Sequence, residues 1–231
     1  DRPQTRIAPR GTRHLSPLVI IFLTVFIDLI GFGMVIPFLS FYAREYGASG
    51  IAVGAVVGIY SIMQFFFAPI LGALSDRFGR RPVLLASSLG LGLDYILMAL
   101  APDLVWLFIG RVISGITAAT FSTAGAYIAD VTPPAERAAR FGLIGAAFGI
   151  GFIAGPAIGG LLGSTDPRLP FWVAAAASLL NTAYGYFVLP ESLPPEKRAD
   201  FSWRRANPVG ALKLLRSNER LFRLSGAIFL Y

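Results

Sequence analysis

Apolar residues run along this chain in long blocks rather than alternating with polar ones. Tyr46 to Ser75 holds 30 residues without Asp, Glu, Lys or Arg, Phe141 to Thr165 holds 25, and Leu169 to Pro190 holds 22. Wound as a helix, each block is long enough to cross about 30 Å of hydrocarbon. Three more stretches, roughly 17 to 43, 82 to 101 and 104 to 129, are as long, but each carries one interior charge: Asp28, Asp94 and Arg111. The pattern predicts six transmembrane helices over 17–190, an all-α integral membrane bundle. The first block is too long, and too polar at its centre, for a cleaved signal segment, whose apolar region is about 7 to 15 residues.

The polar residues between the blocks are distributed unevenly. Seventeen of the twenty Lys and Arg residues fall before the first helix, between helices two and three, between four and five, or after the sixth, against Arg44 and Arg168 on the other side. The positive-inside rule then places both ends of the bundle in the cytoplasm, and most of the net charge of +7 is topology. Residues 1–16 read as a basic cytoplasmic arm and 191–220 as a cytoplasmic linker. In that linker Asn207 and Pro208 resemble the start of a short amphipathic helix bearing Leu212 and Leu215. The apolar residues 221–231 would make about 16 Å of helix, the start of a seventh span. With Asp1 at its head rather than methionine, the chain reads as a piece of a longer protein.

Composition narrows the chemistry further. Hydrophobic residues make up 55% and charged residues 14%, an apolar excess that excludes disorder and argues against a soluble domain. The absence of cysteine removes disulfides, thiol nucleophiles and zinc thiolates. His14, the only histidine, sits in the polar arm, so histidine catalysis and histidine-ligated metals are not expected. The glycine pairs near Gly90 and Gly149 lie in apolar helical runs rather than after strands, and there is no P-loop. An enzyme, a resident metal or cofactor, and a nucleic-acid partner are therefore not expected; the lipid bilayer is.

Three charges inside the bilayer each cost about 2.5–3.5 kcal/mol to insert and so need a partner or a purpose. In an antiparallel hairpin turning near Pro102, Asp94 and Arg111 both stand about 13 Å from the turn, level with each other. Asp28 is also near mid-depth, so either carboxylate could partner Arg111. The pairing could be a static clamp. Alternatively one carboxylate, tuned by the arginine, takes up and releases a proton as access switches sides, which accounts for the extra acid.

Gly151, Gly155, Gly159 and Gly163 recur every fourth residue, a bare stripe along which another helix can approach closely, and Pro156 is expected to interrupt that helix midway. Polar groups able to meet a ligand or a neighbouring helix are Tyr60, Ser61 and Gln64, then Ser114, Thr117 and Thr120, then Asn181 and Tyr184. We take Gln64, Ser114, Thr117 and Asn181 as the candidate substrate contacts.

The loop from Gly72 to Pro82 can be read as tight turns, orienting arginines and a helix-starting proline. It also resembles the signature between helices two and three of the major facilitator superfamily, with Gly72, Asp76, Arg77, Gly79, Arg80 and Arg81 in register. Asp28 to Pro37 is similar to the first-helix motif of the superfamily's drug/proton antiporters, and Gly110 to Thr117 to their fourth-helix motif. Gly142, Gly151, Gly155, Pro156, Gly159 and Gly160 resemble their fifth-helix motif. The likeness narrows to the tetracycline-efflux group through Gln64, Leu93-Asp94-Tyr95, Tyr127-Ile128-Ala129-Asp130 and Leu189-Pro190-Glu191-Ser192.

The resemblance implies the amino-terminal half of a twelve-helix transporter built from inverted three-helix repeats, with a carboxy-terminal six-helix half as its partner. It implies proton-driven export of a small drug across the inner membrane, with Asp28, Asp94 and Arg111 in proton coupling. Arg80 would pair with Asp130 as a conformational latch, and Asp76 would point at the other half. The energy source would be the proton gradient, and a tetracycline-like substrate would arrive as a magnesium chelate. The alternatives are a symporter or sugar carrier of the same superfamily, and a half-length membrane interaction protein that transports nothing.

Overall fold

The structure, a computed structural model, describes residues 16–203, 206–208, 219 and 222–225. The expected basic arm, most of the amphipathic helix after Asn207 and the start of a seventh span lie largely outside those residues.

The regular elements among the described residues are helices: α1 (Pro17–Glu45), α2 (Gly50–Phe78), α3 (Arg80–Ala99), α4 (Leu104–Thr117), α5 (Thr120–Val131), α6 (Arg137–Gly163) and α7 (Leu169–Val188). With α4 and α5 taken together, six crossings are long and apolar enough to span a membrane. Side-chain caps set several starts. Ser16 accepts from Val19 N, Ser49 from Ala52 N, and Asp103 from Val105 N and Trp106 N, each satisfying first-turn amides that have no helical partner.

Two expectations change. The fourth crossing is two helices, because the backbone leaves the helix at Ala118 (ψ 63°) and Ala119 N–H turns back to Thr117 O at 2.7 Å. By contrast α6 runs unbroken through Pro156. Proline in a spanning helix removes one amide but need not end the helix when packing holds the turn together.

The glycine stripe explains how α6 is held. A Cβ on Gly155 would sit 2.7 Å from Gly33 Cα, and one on Gly151 would meet Leu29 Cβ at 2.9 Å, so α1 and α6 approach almost backbone to backbone. Gly115 does the same for α4 on α2, where an added Cβ would lie 2.6 Å from Tyr60 O. Apolar side chains then form two clusters. Ile21, Val25, Leu29, Leu84 and Tyr127 pack toward the Gly79 loop; Met34, Val35, Met98, Leu107 and Phe171 pack toward the opposite end. Between the clusters, at mid-depth, lie Asp28, Asp94, Arg111, Ser178 and Asn181, all buried.

Candidate functional site

Asp28, on α1 and 2% exposed, is held by donors from three other helices. Its Oδ1 accepts from Asn181 Nδ2 of α7 at 3.0 Å; its Oδ2 accepts from Ser88 Oγ of α3 at 3.0 Å and from Thr120 Oγ1 of α5 at 3.2 Å. Asn181 is fixed in turn by a second bond to Thr24 O at 2.9 Å. Every partner is neutral and donates, a bed that suits carboxylate oxygens. Thr120 reaches Asp28 from the first residue of α5, whose amino end presents unpaired amides and the positive end of the helix dipole.

Asp94, on α3 and also 2% exposed, has no such bed: among the described residues neither buried carboxyl oxygen has a hydrogen bond of ordinary geometry, and Ser114 and Arg111 are its polar neighbours. The carboxyl sits against Gly110, where an added Cβ would come within 2.9 Å of Oδ1. Glycine on α4 is what makes room for it. Arg111, one residue further, is 2% exposed. Its guanidinium carbon stands 4.4 Å from the centre of the Tyr60 ring, and its Nε has no partner. Neither carboxylate pairs with Arg111: among the described residues no ion pair within 4.0 Å includes it. The expected pairing is corrected here. Arg111 stays within electrostatic reach of Asp94 without touching it, and the π face of Tyr60 supplies its contact partner.

The four candidate substrate contacts divide. Thr117 lines a nook of about 20 Å³ together with Asp28, Tyr60, Ser87 and Thr120, room for about one water molecule. Ser114 is fully buried and its hydroxyl donates to Gly110 O at 2.9 Å, and Asn181 donates its amide to Asp28 and Thr24. Gln64 is half-buried on α2. Ser87 and Ser88 escaped the sequence reading. The signal was present, since they are the only polar side chains between Arg81 and Asp94.

A second polar cluster surrounds the Gly79 loop. Gly79 has φ +106°, a region that disfavours side chains, so glycine is required for the reversal from α2 to α3. Arg80 then bridges three groups: its Nε donates to Asp130 Oδ2 at 3.1 Å, its Nη1 to Ser75 Oγ at 2.7 Å and to Asp76 Oδ1 at 2.5 Å. Arg80 thus stands against Asp130. Asp76, expected to point away toward another half, is partly turned inward onto Arg80, with about half its side chain exposed. Arg77 stacks on Phe78, while Arg81 stacks on Tyr186 and donates to Tyr186 O. Gly72 has open space where a Cβ would sit.

The start of α3 has no cap of its own and borrows one. Glu191, just past α7, accepts from Arg80 N at 2.9 Å and Arg81 N at 3.3 Å, while Ser192 Oγ donates to Asp130 Oδ2 at 3.1 Å. Ala199 N–H reaches Asp76 O at 3.1 Å. The segment following α7 is therefore tied to the loop between α2 and α3.

Comparison with known proteins agrees with this architecture. The family model described as Major Facilitator Superfamily matches residues 21–231. The chain is 46% identical over 204 residues to the class C tetracycline resistance protein of Escherichia coli, covering 87% of this chain and 51% of that one. It is 37% identical over 185 residues to multidrug resistance protein 1 of Bacillus subtilis (strain 168), covering 79% and 46%. It thus spans about half the length of the curated relatives it matches. Among solved structures, the human organic anion transporter MFSD10 (TETRAN) superposes with a TM-score of 0.73 at 28% identity, covering 82% of this chain and 51% of that one.

Proposed function

Because this chain belongs to the major facilitator superfamily, we propose that it forms the amino-terminal half of a proton-coupled drug exporter of the inner membrane, with tetracycline-like compounds as cargo. Two classes of relative support the cargo, tetracycline resistance and multidrug resistance proteins. One observation carries the coupling: Asp94 is buried at mid-depth with both oxygens unpartnered, one residue-contact away from the helix that holds Arg111. Asp28 is anchored by three donors, whereas Asp94 makes no hydrogen bond of ordinary geometry among the described residues and has only Ser114 and Arg111 as polar neighbours, so Asp94 is the acid freer to change its proton and its company.

On this reading a proton entering from the positive side neutralises Asp94. Loss of that charge removes its attraction for Arg111, and the two halves of the complete transporter favour the other opening. Rebinding of drug and release of the proton reverse the step. The Arg80, Asp76 and Asp130 cluster latches one of the two arrangements, and the basic flanks place it on the cytoplasmic side. Magnesium would enter as part of a chelated drug, within the cargo.

The test is tetracycline uptake by inverted vesicles containing the full-length transporter. Uptake should follow an imposed proton gradient and collapse with an uncoupler, and Asp94→Asn should abolish proton-driven uptake while the protein remains folded. Undiminished proton-driven uptake by Asp94→Asn would overturn the assignment.

A further inference from the structure

Between α2 and α3 a cleft of about 330 Å³ runs from Phe78 and Pro82, flanking the Gly79 loop, to Ile116 and Thr117 at the break in the fourth crossing. That volume falls at the lower end of the range for small-molecule sites. Its walls are apolar, formed by Leu71, Leu74, Phe78, Pro82 and Ile116, with two exceptions: Ser87 and Thr117. The same two residues line the water-sized nook beside Asp28, so the apolar cleft and the polar nook share a wall at mid-membrane.

Ser87 is the telling residue. It is 4% exposed, yet its hydroxyl makes no hydrogen bond among the described residues, and it faces both spaces. Although the residue is buried, its hydroxyl oxygen is not fully enclosed, so it opens on the two spaces it lines and is free to take a partner that comes and goes. The adjoining hydroxyls are committed: Thr117 to Ile113 O, and Ser88 and Thr120 to Asp28.

We propose that this cleft is a substrate subsite that admits an amphiphilic drug from the bilayer: the apolar edge of the drug lies between α2 and α3, and its polar edge meets Ser87 next to Asp28. None of the side chains lining the cleft is charged, which suits the apolar edge of a molecule that partitions into lipid. The break at Ala118 leaves non-helical backbone at the inner end of the cleft, and such backbone occurs at membrane depth only where protein or a cavity covers it. The inference rests on the export function proposed above, with tetracycline as the probe.

Ala86 lines the cleft and belongs to neither charged cluster. In the full-length transporter, Ala86→Trp should raise the KM for proton-driven tetracycline uptake by about tenfold with little change in maximal rate, the pattern of lost ground-state binding. The 231 residues contain no cysteine, so Ala86→Cys supplies a single thiol in this half. A lipid-soluble maleimide should modify that thiol faster than a membrane-impermeant one, and tetracycline should slow the reaction. An unchanged KM in Ala86→Trp, or a thiol that tetracycline does not protect, overturns the subsite; equal protection by lipid alone identifies an acyl chain as the occupant and also overturns it. The wild-type protein separates the two readings, since its own proton-driven uptake tests export whether or not the cleft takes part.

Discussion

The guanidinium of Arg111 rests on the ring of Tyr60, 4.4 Å from its centre, and among the described residues it makes no ion pair within 4.0 Å with Asp28 or Asp94. Gly115 makes the contact possible by letting α2 lie directly on α4. A desolvated cation–π pair is worth about 2 kcal/mol, enough to hold a buried cation in waiting without the permanence of an ion pair. Tyr60→Phe should keep the ring and most of the transport rate. Tyr60→Leu should lower proton-driven tetracycline uptake by about tenfold or more, the loss expected when a buried charge gives up its partner. Vesicle uptake by the two variants, side by side, checks this.

The two carboxylates should respond differently to the same substitution. Asp28→Asn keeps one acceptor oxygen but turns an NH2 toward the donors on the other, a mismatch costing about 1–3 kcal/mol, so the variant should melt earlier. Asp94→Asn keeps the shape of the side chain, has only the Ser114 hydroxyl as a neutral polar neighbour, and should melt within about 1 kcal/mol of the wild type. Thermal unfolding of the detergent-solubilised full-length proteins measures both.

Gly155 and Gly142 belong to the same motif but differ in what surrounds them. A Cβ on Gly155 would press on the Gly33 backbone at 2.7 Å, whereas Gly142 has open space. Gly155→Val should destabilise the protein by about 1–3 kcal/mol, the usual cost of overpacking, while Gly142→Ala should be neutral or slightly stabilising. The same melting assay decides.

Arg80 spans three acceptors with one planar fork. Lysine has no such fork, so Arg80→Lys should retain charge but lose the bridge and slow transport about tenfold. A double-mutant cycle of Arg80→Gln with Asp130→Asn should show clear coupling; additive losses would dissolve the latch.

Much of the fold was legible in the sequence because a bilayer imposes a simple requirement: long charge-free runs become crossings, and Tyr46 to Ser75 or Leu169 to Pro190 admit few other readings. The pairing of Arg80 with Asp130 was likewise anticipated from the resemblance. The break at Ala118 was not, since Thr117-Ala118-Ala119-Thr120 contains neither glycine nor proline, and the bond from Thr120 to Asp28 that accompanies it is a tertiary contact with no local signal. The ring of Tyr60 was missed as the contact partner of Arg111 for a related reason. Residue count along a helix fixes depth well, but which way a side chain faces at that depth depends on how the helices are rotated against one another.

That break gives the fourth crossing two rigid arms joined at an elbow. Arg111 and Asp130 therefore stand on separate helices, and the hydroxyl bonded to Asp28 lies at their junction. If the exporter reading holds, a small rotation at the two alanines would displace the cluster of Arg80 and Asp130 without dragging the mid-membrane arginine along, and Asp28 would feel the motion of both.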